Sequence, residues 1–298
     1  MGEDTARLNP TTRQGSRILE EDTRVRDTRS ASTLAEKEPN RPDPLPVIRV
    51  HGVALHAISE SRCVQWVVDA LEVGRGGWVV TANLDHLRRL VGDAEYTSRC
   101  RDATLVVADG MPLIWASKLQ GTPLPERVAG SNLISSLSAA AADRGRSIYL
   151  LGGATGTAEA AAGVLSKRHP KLRVCGTCCP TIDDIENGAD SVAAITDDLR
   201  QSNPDIVYVA LGSPKQEVLI DRLRDQLPGT WWLGVGNSFS FLCGHVHRAP
   251  LWVQRTGFEW LHRLIQEPRR LGRRYLVDGC PFAVRVLFGA AIQRLKSG

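Results

Sequence analysis

Short apolar runs alternate with amphipathic segments through the middle of the chain, from about residue 77 to residue 236. Stretches such as "SNLISSLSAAAADRG" and "GTAEAAAGVLSKRH" have apolar residues at helical spacing. Six other runs are typical of buried strands: "WVVTAN", "TLVVAD", "SIYLLGG", "LRVCGT", "DIVYVALG" and "WWLGVG". Strands joined by crossover helices pair in parallel and have both faces covered. The sequence therefore predicts an α/β fold with a mostly parallel, Rossmann-like sheet and helices on both faces.

The segments outside this series differ in composition. "VIRVHGVAL" predicts a short strand or hairpin, and "SRCVQWVVDALEVG" predicts a helix, so the α/β core is expected to cover residues 47–247. Residues 1–46 contain 17 charged residues and no aromatic residue, which is typical of a disordered tail. Residues 248–298 hold ten Arg or Lys against three acidic residues, a net of +7 where the whole chain has +4, and predict a basic helical appendage.

The composition also indicates where in the cell the protein is expected. The tail lacks the apolar core of a secretory signal, and no stretch of 18 uncharged apolar residues occurs, so we expect a cytoplasmic protein without a spanning helix. Seven cysteines, an odd number scattered along the chain, favour reduced thiols. "CGTCC" at 175–179 has metal-like spacing but no second Cys/His pair at a matching spacing, so no metal is expected there.

Polar residues and glycines follow four of the predicted strands. The carboxyl ends of parallel strands lie at one edge of an open α/β sheet, which is the edge where ligands bind. These residues are therefore candidates for one site. They are Thr81 and Asn83 after the first strand, Asp109 after the second, Gly152 and Gly153 after the third, and Gln216 within "GSPKQE" after the fifth.

Asp109 ends an apolar run within "TLVVADGMPLIW" and has two interpretations. An acid at the carboxyl end of a strand can take part in chemistry. Asp is also a favoured N-cap residue, and a helix is expected to begin near Pro112, so Asp109 could simply cap that helix. This stretch alone does not decide between the two interpretations.

The glycines at 152, 153 and 156 stand where a strand turns into a helix, so the backbone amides there could hold a diphosphate. This arrangement allows an NAD-dependent oxidoreductase. However, the spacing is not G-x-G-x-x-G and the next strand ends without an acid, so a turn without a ligand is the other interpretation. Neither a P-loop nor an Asp-x-Asp motif occurs, so arginines or amides would have to neutralise a departing nucleoside diphosphate.

Seven ordered motifs, over roughly residues 47–277, resemble one glycosyltransferase family. They are "TANLDHL", "ADGMPL", "PERVAGSNL", "YLLGG", "PDIVYVALGSPKQE", "GVGNSFSFLCGHVHRAP" and "FEWLHRLIQEPRRLGRRYL". The family contains the N-acetylmannosamine transferases of wall teichoic acid synthesis and the N-acetylmannosaminuronic acid transferases of enterobacterial common antigen. The resemblance implies transfer from a UDP-sugar to a polyprenyl-diphosphate-linked saccharide at the inner face of the membrane, with inversion and without a metal or another cofactor.

The resemblance also implies roles for single residues. Asp109 matches the proposed general base, which takes the proton of the attacking hydroxyl. Thr81 and Asn83 would shape the acceptor or sugar pocket, or else form a turn or cap. Arg127 and Gln216 would contact the sugar nucleotide, or else be a surface ion pair and an exposed helix residue.

One motif departs from the family pattern. Where relatives often have G-G-x-F-D-F, this chain has "GNSFSF", so Asn237 replaces a glycine and Ser240 an aspartate. This departure leaves donor identity and affinity open. It also keeps a second hypothesis, a non-catalytic nucleotide- or polyanion-binding protein on the same fold.

The appendage carries Arg263, Arg270 and Arg273 close to one helical face, among apolar side chains. Such a segment suits an anionic membrane surface, and no nucleic-acid-binding motif accompanies the charge. The resemblance implies that these arginines also meet the donor diphosphate. We therefore expect a protein held peripherally at the inner face of the membrane, and the sequence leaves a homo-oligomer open.

Overall fold

The computed structural model describes residues 44–181 and 188–297. All but the last three positions of the tail predicted at residues 1–46 therefore lie outside the described residues. The strands are β1 (Val47–Val50), β2 (Val53–His56), β3 (Gly77–Ala82), β4 (Leu105–Ala108), β5 (Ser147–Gly152), β6 (Arg173–Cys178), β7 (Ile206–Ala210) and β8 (Trp231–Gly234).

Helices connect these strands and continue beyond the last one. In the core they are α1 (Glu60–Glu72), α2 (Leu84–Gly92), α3 (Ala94–Arg99), α4 (Met111–Leu119), α5 (Gly130–Asp143), α6 (Thr157–Arg168), α7 (Ala189–Ser202), α8 (Lys215–Leu223) and α9 (Ser238–Leu242). In the appendage they are α10 (Leu251–Thr256), α11 (Glu259–Gln266), α12 (Pro268–Gly272), a π-helical segment (Arg273–Gly279) and α13 (Cys280–Ser297).

Six strands form one parallel sheet in the order β4-β3-β8-β7-β5-β6. The predicted Rossmann-like sheet is confirmed, and each of the six predicted runs supplies one strand. β1 and β2 form the predicted hairpin, in which Val47 pairs with His56.

Alternating side chains along each central strand build an apolar layer on each face of the sheet. In β3, Trp78 and Val80 belong to one buried cluster, and Val79 belongs to the other. This is the period-two arrangement of a strand buried on both faces. The two layers hold β3 between them, so the position of its carboxyl end is set by packing on both faces.

The strand order decides which predicted residues can meet. β4, β3, β8 and β7 are consecutive neighbours, so their carboxyl ends form one continuous edge. β5, which ends at Gly152, lies beyond β7. Residues that follow β3, β4, β7 and β8 therefore share one site, and residues that follow β5 stand to its side.

The appendage packs against the core through Val286 and Ala290, which belong to one of the two buried clusters, and Val253 and Leu271 are buried as well. Between α10 and α11, Gly257 has a φ of +84°. A Cβ atom at this position would lie 2.6 Å from the indole of Trp115 on α4. A glycine here therefore allows both the left-handed turn and the close approach of the appendage to α4.

One helix among the described residues meets the length and composition criteria for a membrane span, so the expected absence of a spanning helix stays a prediction. Arg273–Lys296 forms 24 residues of helix that are long and apolar enough to cross a bilayer, judged by length and composition alone. The sequence criterion missed this helix because Asp278 and Arg285 interrupt the apolar run. One side of the helix packs on the core through Val286, and its other side is exposed.

Candidate active site

A cavity of about 400 Å³ lies at the carboxyl ends of β3, β4, β7 and β8, and the appendage forms part of its wall. From the core, its lining includes Thr81, Asn83, Asp109, Arg127 and Gln216, which are five of the residues predicted for the site. From the appendage it includes Gly257, Glu259, Trp260, Arg263, Arg274 and Tyr275. The two parts of the chain together form one chamber.

Asp109 follows β4 directly, and its N–H donates to the carbonyl of Ala82 at 2.7 Å. The interpretation of Asp109 as the cap of α4 is wrong, because Gly110 occupies that N-cap position and no side chain caps the helix. The carboxylate instead accepts the N–H of Gly130, the first residue of α5, at 3.3 Å from Oδ2. Asp109 therefore bridges the end of one strand and the start of a different helix.

The surroundings of Asp109 make it more basic than an ordinary aspartate. Burial raises the pKa of the carboxyl, and the charge of Glu259 raises it further. The positive charge of Arg127 and the bond from Gly130 lower it, and the balance is a raised pKa. A raised pKa strengthens the carboxylate as a proton acceptor.

Thr81 and Asn83 lie at the end of β3, beside Asp109. Thr81 is buried, and a Cβ atom on Gly130 would lie 3.1 Å from its hydroxyl oxygen. Asn83 is the N-cap of α2: its Oδ1 accepts the N–H of Asp85 at 2.9 Å and that of His86 at 3.2 Å. The cap predicted as the alternative for Asn83 is present, and the residue lines the cavity as well.

Arg127 is not a surface ion pair. Its Nη1 donates to Glu259 Oε2 at 2.6 Å, and both side chains are more than four-fifths buried. Arg248 approaches the other oxygen of Glu259, with Nε 3.8 Å from Oε1. Arg127 therefore joins the core to the appendage at the cavity wall.

Gln216 is not an exposed helix residue, because it is almost fully buried. Its Oε1 accepts the N–H of Gly236 at 3.1 Å, and its Nε2 donates to Glu217 Oε1 at 2.7 Å. A Cβ atom on Gly234 would overlap the Gln216 amide. Gly234 therefore leaves space for this side chain.

Gly152 and Gly153 are not brought to the cavity and do not line it. Both have positive φ, +96° and +87°, and Gly153 packs closely on Thr157 and Phe239. Its N–H donates to the carbonyl of Ala210 at 2.8 Å. The position of β5 beyond β7 explains this separation, and the turn conformation accounts for both glycines.

The three predicted arginines of the appendage have different positions. Arg263 lines the cavity, with its guanidinium 5.8 Å from the centre of the Phe241 ring. Arg273 is exposed and does not line the cavity. The side chain of Arg270 lies outside the described part of the chain.

Sequence reasoning missed Arg274, which lines the cavity and donates from Nη2 to Asp85 Oδ2 at 2.8 Å. Burial opposes the ionisation of Asp85, but Arg274 and Arg89 overcome it and hold the pKa of this carboxyl below its ordinary value. The available signal was the "RR" pair at 273–274. Helical periodicity could not choose between the two because the helix changes from α to π at this point.

The departure from the family motif lies partly in the cavity. Asn237 lines it, and Ser240 does not. Within the described ranges, no group of three or more His, Cys, Asp or Glu side chains is arranged to hold a metal ion. In the "CGTCC" segment, the thiols of Cys175 and Cys179 donate to the separate carbonyls of Ile148 and Gly152.

Comparison with known proteins agrees with the motifs. A protein of Bacillus spizizenii, named N-acetylglucosaminyldiphosphoundecaprenol N-acetyl-beta-D-mannosaminyltransferase, is 31% identical over 203 residues, which cover 68% of this chain and 76% of that protein. A protein of the same name from Bacillus subtilis strain 168 is 29% identical over 198 residues, covering 66% and 75%. The family profile described as "Glycosyl transferase WecG/TagA/CpsF family" matches residues 48–296. The chain therefore belongs to the WecG/TagA/CpsF glycosyltransferase family.

Proposed function

We propose that this glycosyltransferase moves N-acetylmannosamine, its uronic acid or a related hexose from a UDP-sugar to a polyprenyl-diphosphate-linked saccharide, with inversion at the anomeric carbon. The observation that carries the proposal is the placement of Asp109 in one cavity with Arg127, Arg263 and Arg274. A proton acceptor and a set of fixed cations are the two groups that such a displacement requires. The names of the two Bacillus relatives support a diphosphoundecaprenol-linked N-acetylglucosamine as acceptor.

Asp109 acts as the general base. Its carboxylate takes the proton of the acceptor hydroxyl while that oxygen forms a bond to the anomeric carbon. The bond from this carbon to the UDP oxygen breaks, and the electron pair leaves with UDP. Attack from the face opposite the leaving group inverts the anomeric centre. The bond from Gly130 to Oδ2 holds the carboxylate in place for this step.

Arginines stabilise the charge on the departing diphosphate, so we propose a reaction that needs no metal ion. The Nε–H groups of Arg263 and Arg274 are buried and have no hydrogen-bond partner among the described residues. Both side chains line the cavity, so these donors are available to an anionic ligand. Charge-assisted bonds to a phosphate satisfy buried guanidinium groups better than neutral acceptors do.

The outer face of the appendage binds the anionic inner leaflet of the membrane. Large apolar side chains are exposed there, among them Trp252, Ile265, Val277, Val284, Phe288 and Leu295. Exposed arginines accompany them at 269, 273 and 285. An apolar strip with basic neighbours is typical of a segment that lies in the membrane interface. Because Val286 and Ala290 pack on the core, we propose a peripheral position along the surface.

A transfer assay on the full chain tests the function. The protein is incubated with UDP-N-acetylmannosamine, UDP-N-acetylglucosamine or UDP-glucose and a short-chain lipid diphosphate that carries N-acetylglucosamine. We expect one donor to give UDP and a lipid one sugar heavier, with the inverted linkage by NMR and with undiminished rate in EDTA. Binding of the donors without any transfer would instead favour the non-catalytic nucleotide-binding protein. A rate abolished by EDTA would overturn the metal-free mechanism.

A further inference from the structure

His86 lies in the first turn of α2, lines the cavity and is 5% exposed. Its Nε2 lies 3.4 Å from Oε1 of Glu217, the residue next to Gln216, and Glu217 is 2% exposed. Burial opposes the ionisation of Glu217, but the bonds from His86 and Gln216 overcome it and lower the pKa of this carboxyl. Glu217 is therefore an ionised, acceptor-only group that requires a hydrogen on His86 Nε2.

This arrangement fixes the orientation of the imidazole and determines what its other nitrogen can do. With Nε2–H directed at Glu217, Nδ1 of the neutral ring is a hydrogen-bond acceptor. Nδ1 is buried and has no hydrogen-bond partner among the described residues. Buried polar atoms normally have a partner, because leaving one unsatisfied costs stability. A ligand in the cavity that His86 lines can supply that partner.

The position of His86 indicates which part of the ligand it meets. His86 and Asp109 line the same cavity. His86 also follows Asn83 within the same turn, and Asn83 lies beside the end of β4 at Gly110. The ring therefore stands near the reacting centre, where the transferred sugar must lie if Asp109 is the base.

We propose that His86 is a further substrate-binding residue, whose Nδ1 accepts a hydrogen bond from a hydroxyl or amide N–H of the sugar being transferred. Glu217 is the positioning residue that orients the ring. The same carboxylate oxygen accepts from Gln216 Nε2 at 2.7 Å, so it sets the orientation of two cavity side chains at once. This inference rests on the proposed function, because it assumes a sugar nucleotide in the cavity.

Two substitutions separate the two nitrogens of the ring. In His86→Gln the longer amide can reach the position of Nε2 and keep the bond to Glu217, but Nδ1 is lost. In His86→Asn the shorter amide can occupy the position of Nδ1, but the bond to Glu217 is lost. Tyr208→Phe is the matched control, because it removes a buried hydrogen bond, 3.1 Å from Ser138 Oγ to the tyrosine oxygen, between residues that do not line the cavity.

The measurement is calorimetric binding of UDP and of UDP-N-acetylmannosamine to each full-length variant, together with the transfer rate and the melting temperature. We expect His86→Gln to fold and to bind UDP as the wild type does, but to bind the UDP-sugar roughly 10- to 100-fold more weakly, because one buried hydrogen bond to the sugar is lost. His86→Asn should lose less sugar affinity than His86→Gln. Tyr208→Phe should lower only the melting temperature.

The outcomes are distinguishable from a failure of the proposed function. Equal affinity of wild type and His86→Gln for the UDP-sugar, with equal transfer, would overturn the inference about His86 and leave the function standing. Equal weakening of UDP and UDP-sugar binding would also overturn it, because His86 would then act only on the fold or the nucleotide. A wild type that binds neither ligand would overturn the proposed function and this inference together.

Discussion

Arg127 and Glu259 lie 132 positions apart in the chain, and their side chains meet at 2.6 Å in the wall of the cavity. One residue belongs to the core and the other to the appendage. Both act on Asp109, in opposite directions: Arg127 lowers the pKa of the carboxyl and Glu259 raises it. The appendage therefore forms part of the cavity wall and changes the charge around Asp109.

This ion pair predicts two opposite shifts in the pH dependence of transfer. The rate should fall as the pH falls through the pKa of Asp109, because the protonated acid cannot accept a proton. Glu259→Gln removes a negative charge, so the pKa falls and the acid limb moves to lower pH. Arg127→Gln removes a positive charge, so the limb moves to higher pH. Glu126→Gln, at an exposed neighbour that does not line the cavity, is the control and should leave the limb in place.

The rate should also depend on Asp109 itself. Asp109→Asn keeps an oxygen that can accept the Gly130 N–H but removes the proton acceptor, so transfer should fall roughly 10²- to 10⁴-fold. The matched control is Asp205→Asn, because Asp205 also accepts a backbone N–H, that of Ser147 at 2.7 Å. Asp205 directly precedes β7, so it lies at the amino ends of the strands, away from the cavity. A transfer rate near that of the wild type in Asp109→Asn would reduce Asp109 to a structural link to α5.

The Asp109→Asn substitution should raise the stability of the folded protein at neutral pH, although it lowers the transfer rate. The folded protein holds the pKa of Asp109 above its ordinary value of 3.8, so the native state binds this proton more tightly than the unfolded chain does. The stabilisation is complete below the ordinary pKa and is lost as the pH rises through the raised one. Asp109→Asn should therefore melt at a higher temperature than the wild type at neutral pH, and the two should converge in acid. Calorimetric melts across pH measure this, and a variant less stable than the wild type at neutral pH would contradict it.

Substitutions of two adjacent arginines should affect catalysis and membrane attachment separately. Arg274 lines the cavity and Arg273 is exposed outside it, so Arg274→Ala should lower transfer to a soluble acceptor roughly 10²-fold, as does the loss of one fixed donor in other active sites. Arg273→Ala should leave that rate nearly unchanged and lose about 1 kcal/mol of attraction to anionic vesicles. Co-sedimentation with vesicles and the soluble assay on both variants measure the two effects. The reverse ranking would place Arg273 in the site, as the sequence predicted.

Opposite faces of α13 should give different phenotypes. Phe288 is 67% exposed and Val286 is 1% exposed. Phe288→Gln should weaken binding to vesicles by about 1.5–3 kcal/mol, the cost of leaving a large apolar side chain in water, with little change in melting temperature. Val286→Ala should cost about 1.6 kcal/mol of folding stability, for two buried methylene equivalents, and leave vesicle binding intact. Equal vesicle binding by Phe288→Gln and the wild type would exclude this face from the membrane contact.

The sheet was predictable because every strand carries its own signal. Runs such as "DIVYVALG" are apolar, β-branched and bounded by turn residues, and each had to be a strand buried on both faces. The order of the strands was not predictable from these runs, because it depends on which crossover helices cover which face. Gly152 and Asp109 therefore looked equivalent in the sequence, although only Asp109 reaches the cavity.

The site residues also differ in whether a local sequence pattern could predict their position. Asp109, Thr81 and Asn83 stand at strand ends, so their position followed once the strands were recognised. Arg274 depends on the rotation of a helix that changes from α to π, and its partner Asp85 lies 189 positions away. His86 and Glu217 likewise meet only through the pairing of β3, β8 and β7, which no local pattern records.

The exposed apolar strip of Arg273–Lys296 has a consequence for the protein in water. Such a strip, with Val277, Val284, Phe288 and Leu295 uncovered, favours contact with any apolar surface that solution offers. Without lipid or detergent, a second copy of the chain provides that surface. Self-association should then rise with protein concentration and disappear when vesicles are added. An oligomer observed by sedimentation in plain buffer would therefore be a consequence of leaving out the lipid.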